Sequence, residues 1–172
     1  MLRALIIAAT LTATPLIAQD AEPAMTLERM AEIVLALDAD ASITGNGFEL
    51  SISDVPVLII ADARANRMRA MVPISSVEGM TPEEMERAMQ ANFDSALDAR
   101  YAIARGRLWG VFIHPLKELE RDQLISGIAQ TVNVAQTYGS LYTSGAAQFG
   151  AGDSSGLQAQ LLEELLERGE DI

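Results

Sequence analysis

Apolar residues along this chain change their spacing several times, and each change marks an element. From Thr26 they recur at helical intervals: Leu27, Met30, Ile33, Val34 and Leu37 share one face, with Thr26 placed as N-cap and Asp38-Ala39-Asp40 beyond the end. From Ala41 to Ser76 the period shortens to two. Ile43, the Gly45-Asn46-Gly47 turn and the alternation at Phe48, Leu50 and Ile52 predict a hairpin. Val55 to Ala61 is apolar on both sides and suits a central strand. Arg67 to Ile74 alternates charged and apolar residues as a half-exposed strand does, with Asn66 in the turn between the two. Thr81-Pro82-Glu83-Glu84 then opens a second helix: a Thr cap, Pro at the first helical position, acids on the positive end of the dipole, and Glu84 placed to close a capping box. Met85, Met89, Phe93 and Leu97 line one stripe of this helix, which is expected to end near Asp98.

Tyr101 to Arg105 and Leu108 to Ile113 straddle Gly106-Arg107 and read as a second hairpin. His114-Pro115 closes it and starts the longest helix, whose stripe runs from Leu116, Leu119, Gln123 and Leu124 through Ile128, Val132 and Ala135 toward Tyr138 or Tyr142. Gly127 and Gly139 are weak points within it or at its end. Ser144 to Gly156 is rich in Gly, Ala and Ser, the composition of a flexible linker. Beyond it Leu157, Leu161, Leu162, Leu165 and Leu166 define an acidic amphipathic helix from Leu157 to Arg168, in a tail that runs to Ile172. A helix of that length is unstable alone in water, so it docks or frays. No repeat of solenoid spacing is present. The order of elements predicts an α+β domain over residues 26–143, a single antiparallel sheet flanked by helices, with a C-terminal amphipathic helix added.

The first residues change the picture of where the domain works. Arg3 forms a minimal positive region, Ala4 to Ala18 an apolar run, and Leu16-Ile17-Ala18 a small-residue exit before Gln19-Asp20, the pattern of a secretory signal peptide over residues 1–18. The run falls short of the roughly 20 apolar residues of a spanning helix. The expectation is cleavage after Ala18, export to the periplasm, a short polar linker over residues 19–25, and no stable membrane insertion once the leader is removed. The chain has no cysteine, so a disulfide, a lipobox and a thiolate metal site are all excluded. Net charge is −12 with 49% hydrophobic residues, and loss of Arg3 makes the mature form one unit more negative. Lys117 is the only lysine and the arginines are scattered, which argues against nucleic acid and against an anionic membrane as partner.

The segment from Asp98 to Gly145 carries a resemblance. Asp98-Ala-Arg-Tyr-Ala-Ile-Ala-Arg-Gly-Arg-Leu-Trp-Gly-Val-Phe-Ile-His-Pro-Leu116, the Ile128-Ala-Gln-Thr-Val-Asn133 helix and Tyr138-Gly-Ser-Leu-Tyr142 resemble the YbjN-like family, also called the bacterial sensory transduction regulator family. That family resembles type III secretion chaperones in fold. Over Thr26 to Gly145 the resemblance implies a chaperone-like fold that binds a protein or peptide client. The leader and the tail helix depart from the pattern, so binding in the cell envelope is the expectation, with a homodimer as a further one.

Catalytic alternatives have little to work with. His114 is the only imidazole for acid–base, metal or triad chemistry, and its place before Pro115 at a strand-to-helix junction fits a structural role. Ser126 and Ser140 lie in no Gly-x-Ser-x-Gly elbow. Asp38 with Asp40, Glu83 with Glu84, and Glu163 with Glu164 are carboxylate pairs, but each sits where a helix end or a wet helix face explains it. Gly45-Asn46-Gly47 lacks the Lys-Ser/Thr of a phosphate loop. The reading that follows has no catalytic residue, no metal and no cofactor. An adaptable surface is the functional reading of Met85 and Met89, with Met68, Met71 and Met80 nearby, against ordinary core filling as the simpler one. Trp109, Tyr138 and Tyr142 are either buried anchors or partner contacts. Leu161 and Leu165 of the tail either dock in cis over a groove that a client would otherwise occupy, pair in trans with another subunit, or belong to a loosely ordered solubilising tail. A periplasmic hydrolase with an unrecognised site, and a structural subunit of an envelope complex, are the rival functions.

Overall fold

Thr26 caps the first helix, α1 (Leu27–Leu37), its hydroxyl accepting from the Arg29 N–H at 3.1 Å, and the stripe Met30, Ile33, Val34 and Leu37 is buried as its spacing requires. The computed structural model describes residues 22–94, 97–138 and 155–170. The expected leader, the first residues after it, most of the Gly/Ala/Ser-rich stretch and Tyr142 lie outside the described residues. Residues 22–25 were expected to be linker, yet Met25 is buried and its N–H donates to the Lys117 carbonyl, while the Glu22 carboxylate accepts from Arg29 and from the Arg121 N–H.

Four strands follow in consecutive antiparallel pairs: β1 (Ser42–Thr44), β2 (Gly47–Ile52), β3 (Val55–Asp62) and β4 (Arg67–Ser76). Helix α2 (Pro82–Asp94) carries the chain to the far edge, where β5 (Arg100–Ala104) and β6 (Arg107–His114) form the last hairpin, with β6 returning beside β4. The result is one six-stranded antiparallel sheet of order β1-β2-β3-β4-β6-β5. Two of its hairpins close on two residues that are both left-handed, Arg105-Gly106 (φ 51° and 71°) and Ser53-Asp54 (φ 50° and 62°). That geometry matches the twist of the flanking strands. Gly106 takes it freely, whereas Arg105, Ser53 and Asp54 adopt it at a steric cost that is smallest for Asp.

The start of α2 follows the sequence, whereas its end and the start of α3 do not. Thr81 and Glu84 form the reciprocal capping box of α2, at 2.7 and 3.2 Å. The helix stops at Asp94, short of the expected Asp98, and Leu97 lies beyond it. Gln130 explains the break: its carboxamide oxygen accepts from the N–H groups of Asp98 and Ala99 at 2.7 and 3.2 Å, drawing the chain into β5. The longest described helix, α3 (Arg121–Gln136), starts later than expected from His114-Pro115. Leu116 and Leu119 are buried from a loop instead, because the Leu116 and Lys117 N–H groups donate to Asn66 in the β3–β4 turn and Gln123 accepts from the Glu120 N–H at the true helix start.

All the described helices lie on one face of the sheet. The core joins α1, α3 and α4 (Ser155–Gly169) to Phe48, Leu50, Ile52, Val57, Ile59, Ala61, Met68, Ala70, Val72 and Phe112. A smaller cluster beside it holds Ala88 and Ala91 of α2 against Tyr101, Leu108 and Val134. Gly127 proves to be a point of close approach: a Cβ there would stand 2.5 Å from the Phe112 ring, and one on Gly110 would stand 3.1 Å from the Thr131 carbonyl oxygen. Two glycines thus let α3 settle on β6.

The tail helix begins at Ser155, ahead of the expected Leu157, and docks in cis against α3 and α1. Leu161 and Leu165 enter the main core, Arg168 donates to the Leu37 carbonyl at the end of α1, and Arg121 donates to the Gly169 carbonyl.

Candidate functional site

A helix ordinarily buries its large apolar residues. α2 does the reverse. Over Pro82–Asp94 its buried residues are Ala88 and Ala91, while Met85, Met89 and Phe93 project into solvent, Met89 49% and Phe93 79% exposed. The stripe at i, i+4 spacing is therefore an outward face, and core filling by Met85 and Met89 is corrected. The physical reason lies in the packing: Ala88 and Ala91 are small enough to bring α2 close to Tyr101, Leu108 and Val134, and the Ala side then wins the contact. Asn92 locks that orientation. Its side chain accepts from the Tyr101 N–H at 2.7 Å and donates to the Tyr101 carbonyl at 3.1 Å, occupying the outer edge of β5 as an added strand would. Ile103, two residues along the same edge strand, is exposed as well.

The second apolar surface is the sheet face opposite the helices. Strand alternation places Leu58, Ile60, Met71, Trp109, Val111 and Ile113 there, and none of the described helices covers them. Ile60 and Ile113 are 50% and 54% exposed. The register aligns Leu58, Met71 and Val111 in one row across three strands, and Ile60, Arg69 and Ile113 in the next. β3 is interior to the sheet, as its doubly apolar sequence suggested, but its second side is open. Ile60 and Ile113 were not singled out from sequence, although the runs from Val55 to Ala61 and from Leu108 to Ile113 carried the signal.

The remaining candidates sort by position. Trp109 is half-buried on the open face, its indole N–H donating to the Ala104 carbonyl at 3.0 Å. Tyr138 is partly buried in the smaller cluster, edge-on to Tyr101 with ring centroids 6.0 Å apart. Met68 is in the core, Met71 on the open face and Met80 against the smaller cluster. Leu161 and Leu165 are occupied inside their own chain. The structure thus brings Met85 and Met89 together with Phe93, and keeps Trp109 and the tail leucines apart from them.

Among the described residues, titratable groups do not converge on a common site. The His114 ring stacks on Phe112, with centroids 6.0 Å apart and planes at 17°, and its Nδ1 lies 2.8 Å from the Pro115 carbonyl oxygen. The Ser126 hydroxyl accepts from Gln130. Asp38 accepts from the N–H groups of Asp40 and Ser51, and Glu164 pairs with Arg168 one turn on. Among the described residues no group of three or more His, Asp or Glu is placed to hold a metal ion, and no helix is long and apolar enough to cross a membrane. A cleft of about 440 Å³ beside Thr26, Ile33 and Arg121 holds Arg29, and both arginines there are engaged by Glu22 and Asp122. Hydrogen bonds to the Arg121 N–H first, and to Arg29 second, hold Glu22 below its ordinary value of 4.5 despite partial burial.

No family model matches the chain, and no curated protein matches it. Solved structures do. The chain is similar to the crystal structure of the ExsC–ExsE complex, with a TM-score of 0.52 and 10% identity over 65% of this chain and 92% of that one. The HopA1–SchA chaperone–effector complex matches with a TM-score of 0.49 and 8% identity over 63% of this chain and 91% of that one. The Yersinia pestis type III secretion chaperone SycH in complex with a stable fragment of YscM2 matches with a TM-score of 0.47 and 13% identity, over 62% of this chain and 97% of that one. The fold is type III secretion chaperone-like, a single antiparallel sheet with its helices, as the sequence led us to expect.

Proposed function

We propose that this protein is a non-enzymatic protein- or peptide-binding module, chaperone-like or regulatory, of YbjN-like character and at work in the cell envelope. One observation carries the reading: α2 attaches to the domain through two alanines and offers Met85, Met89 and Phe93 to solvent. Unbranched thioethers repack around different partners, and a neighbouring aromatic supplies an anchor, which together suit a surface that accepts extended or helical apolar segments. The likeness in fold to the ExsC–ExsE complex supports the same direction. The leader pattern of residues 1–18 supports export, so the mature chain begins at Gln19 and meets its client in the periplasm.

The test compares the full-length mature chain with a variant carrying Met85→Ser, Met89→Ser and Phe93→Ser. These side chains are exposed, so the variant keeps the thermal transition of the parent. The parent enriches a defined client from a periplasmic extract and the variant does not. Equal enrichment by both, or hydrolase activity that tracks the purified parent, overturns the reading. Sedimentation of the two forms shows whether a second copy of the chain uses the same face. Fractionation with intact mass determination checks cleavage after Ala18.

A further inference from the structure

Charge on this molecule is distributed in a way that composition hides. The chain carries 12 Lys and Arg against 24 Asp and Glu, yet the open sheet face holds Arg67, Arg69, Arg100 and Arg107 against Glu49 and Asp62. Arg67 stands opposite Asp62 in register and donates to the Asn66 carbonyl, and the Arg100 guanidinium is held by the carbonyls of Leu97 and Ala99. Arg69 and Arg107 are exposed and enter none of the ion pairs among the described residues. Arg69 lies between Ile60 and Ile113 in the register, the two most exposed large hydrophobic residues of the described sheet. Neighbouring strands are about 4.8 Å apart, so this row offers one cation with an apolar side chain roughly 5 Å to either side.

We infer that the open sheet face binds an acidic, apolar segment of the protein client, its carboxylate seated on Arg69 and its apolar residues on Ile60, Ile113 and the row of Leu58, Met71 and Val111. This rests on the protein-binding reading and names the chemistry of the partner. Charge complementarity favours it. A protein of net charge −12 repels an acidic segment except at a local positive field, and α2, with Glu83, Glu84 and Glu86 against Arg87 alone, is a poor source of one. An exposed guanidinium on an uncovered apolar floor also gains when a carboxylate displaces water from it, because Arg presents a planar fork to that group.

The test uses the full mature chain and fluorescein-labelled peptides matched in apolar content, with the other positions filled by Glu, Gln or Lys. The Glu peptide is expected to bind most tightly, more weakly as salt rises, and about tenfold more weakly to Arg69→Glu. Arg107→Glu is expected to weaken it further, with both variants folded because both side chains are exposed. Equal binding of the three peptides, or an unchanged affinity for Arg69→Glu, overturns the inference. So does binding of anionic phosphatidylglycerol vesicles in preference to every peptide. Phe93→Ser separates the levels: loss of Glu-peptide binding there with none in Arg69→Glu moves the segment to α2 and overturns only the sheet-face assignment. Binding of no peptide by any form overturns both readings.

Discussion

Replacing Leu165 by alanine isolates the attachment of the tail helix. Leu165 is 0% exposed in the main core and Leu161 is 8% exposed beside it. Truncating a fully buried leucine costs about 2–5 kcal/mol, the transfer loss plus the cavity that remains. What would still hold α4 is Leu161, the partly buried Leu162 and Leu166, a long Asn133–Gln158 contact, and the Arg168–Leu37 and Arg121–Gly169 hydrogen bonds, the last two part-buried and worth about 0.5–1.5 kcal/mol each, or somewhat more for a charged donor. A 15-residue helix is marginal alone in water, so the loss of its most buried anchor is a large part of the attachment. The expected result is local release: in hydrogen exchange read by mass spectrometry, α4 amides exchange at least about 30-fold faster, since 1.4 kcal/mol is a factor of ten. The amides of α3 and the central strands keep their protection. Binding of a hydrophobic dye rises as the α1–α3 groove opens, as it should also on deleting residues 156–172. Unchanged exchange in α4 would refute the cis attachment, and simultaneous loss of protection in α3 and α4 would refute its independence.

Gly127→Ala sets two effects against each other: about 1 kcal/mol gained in helix propensity, and about 1–3 kcal/mol or more lost in forcing a Cβ to within 2.5 Å of the Phe112 ring. The clash should win, and thermal denaturation should show a lower midpoint. A higher one would mean that α3 can shift away from β6 freely. Asp54→Gly should raise the midpoint by the equivalent of about 1 kcal/mol, because Asp54 sits at φ 62° where glycine is at ease. A fall in stability would show that its side chain makes a contact worth more than the strain. Glu22→Gln should destabilise the domain at neutral pH. Since the folded state lowers the Glu22 pKa below 4.5, its contribution is full above that pH and fades as pH falls toward the folded value, so the two proteins should converge in acid. A constant difference down to low pH would contradict the linkage.

Much of the architecture was legible because it rests on local chemistry. Thr26 and the Thr81–Glu84 box announce helix starts that depend only on orphan N–H groups nearby, and Gly106 marks a turn for reasons internal to two residues. Boundaries set by distant residues were less legible. Gln130 reaches across from α3 to terminate the segment after α2, and Asn66 pulls residues 116–117 out of helix, both from far along the chain. Least legible was which apolar face is wet. Periodicity shows that Met85, Met89 and Phe93 share a side of α2, but their exposure depends on Ala88 and Ala91 meeting Tyr101 and Leu108 first. In the same way, the two apolar sides of β3 cannot reveal that all the described helices settle on only one of them.

The most direct measurement places a photo-crosslinking amino acid at Phe93 in the living cell, with a second chain labelled at exposed Glu163 on the tail helix as control. A discrete protein adduct at Phe93, absent at Glu163 and abolished by Met85→Ser with Met89→Ser, is the result expected of a client-binding face. Adducts of equal yield and pattern at the two positions, or none at Phe93, would contradict it.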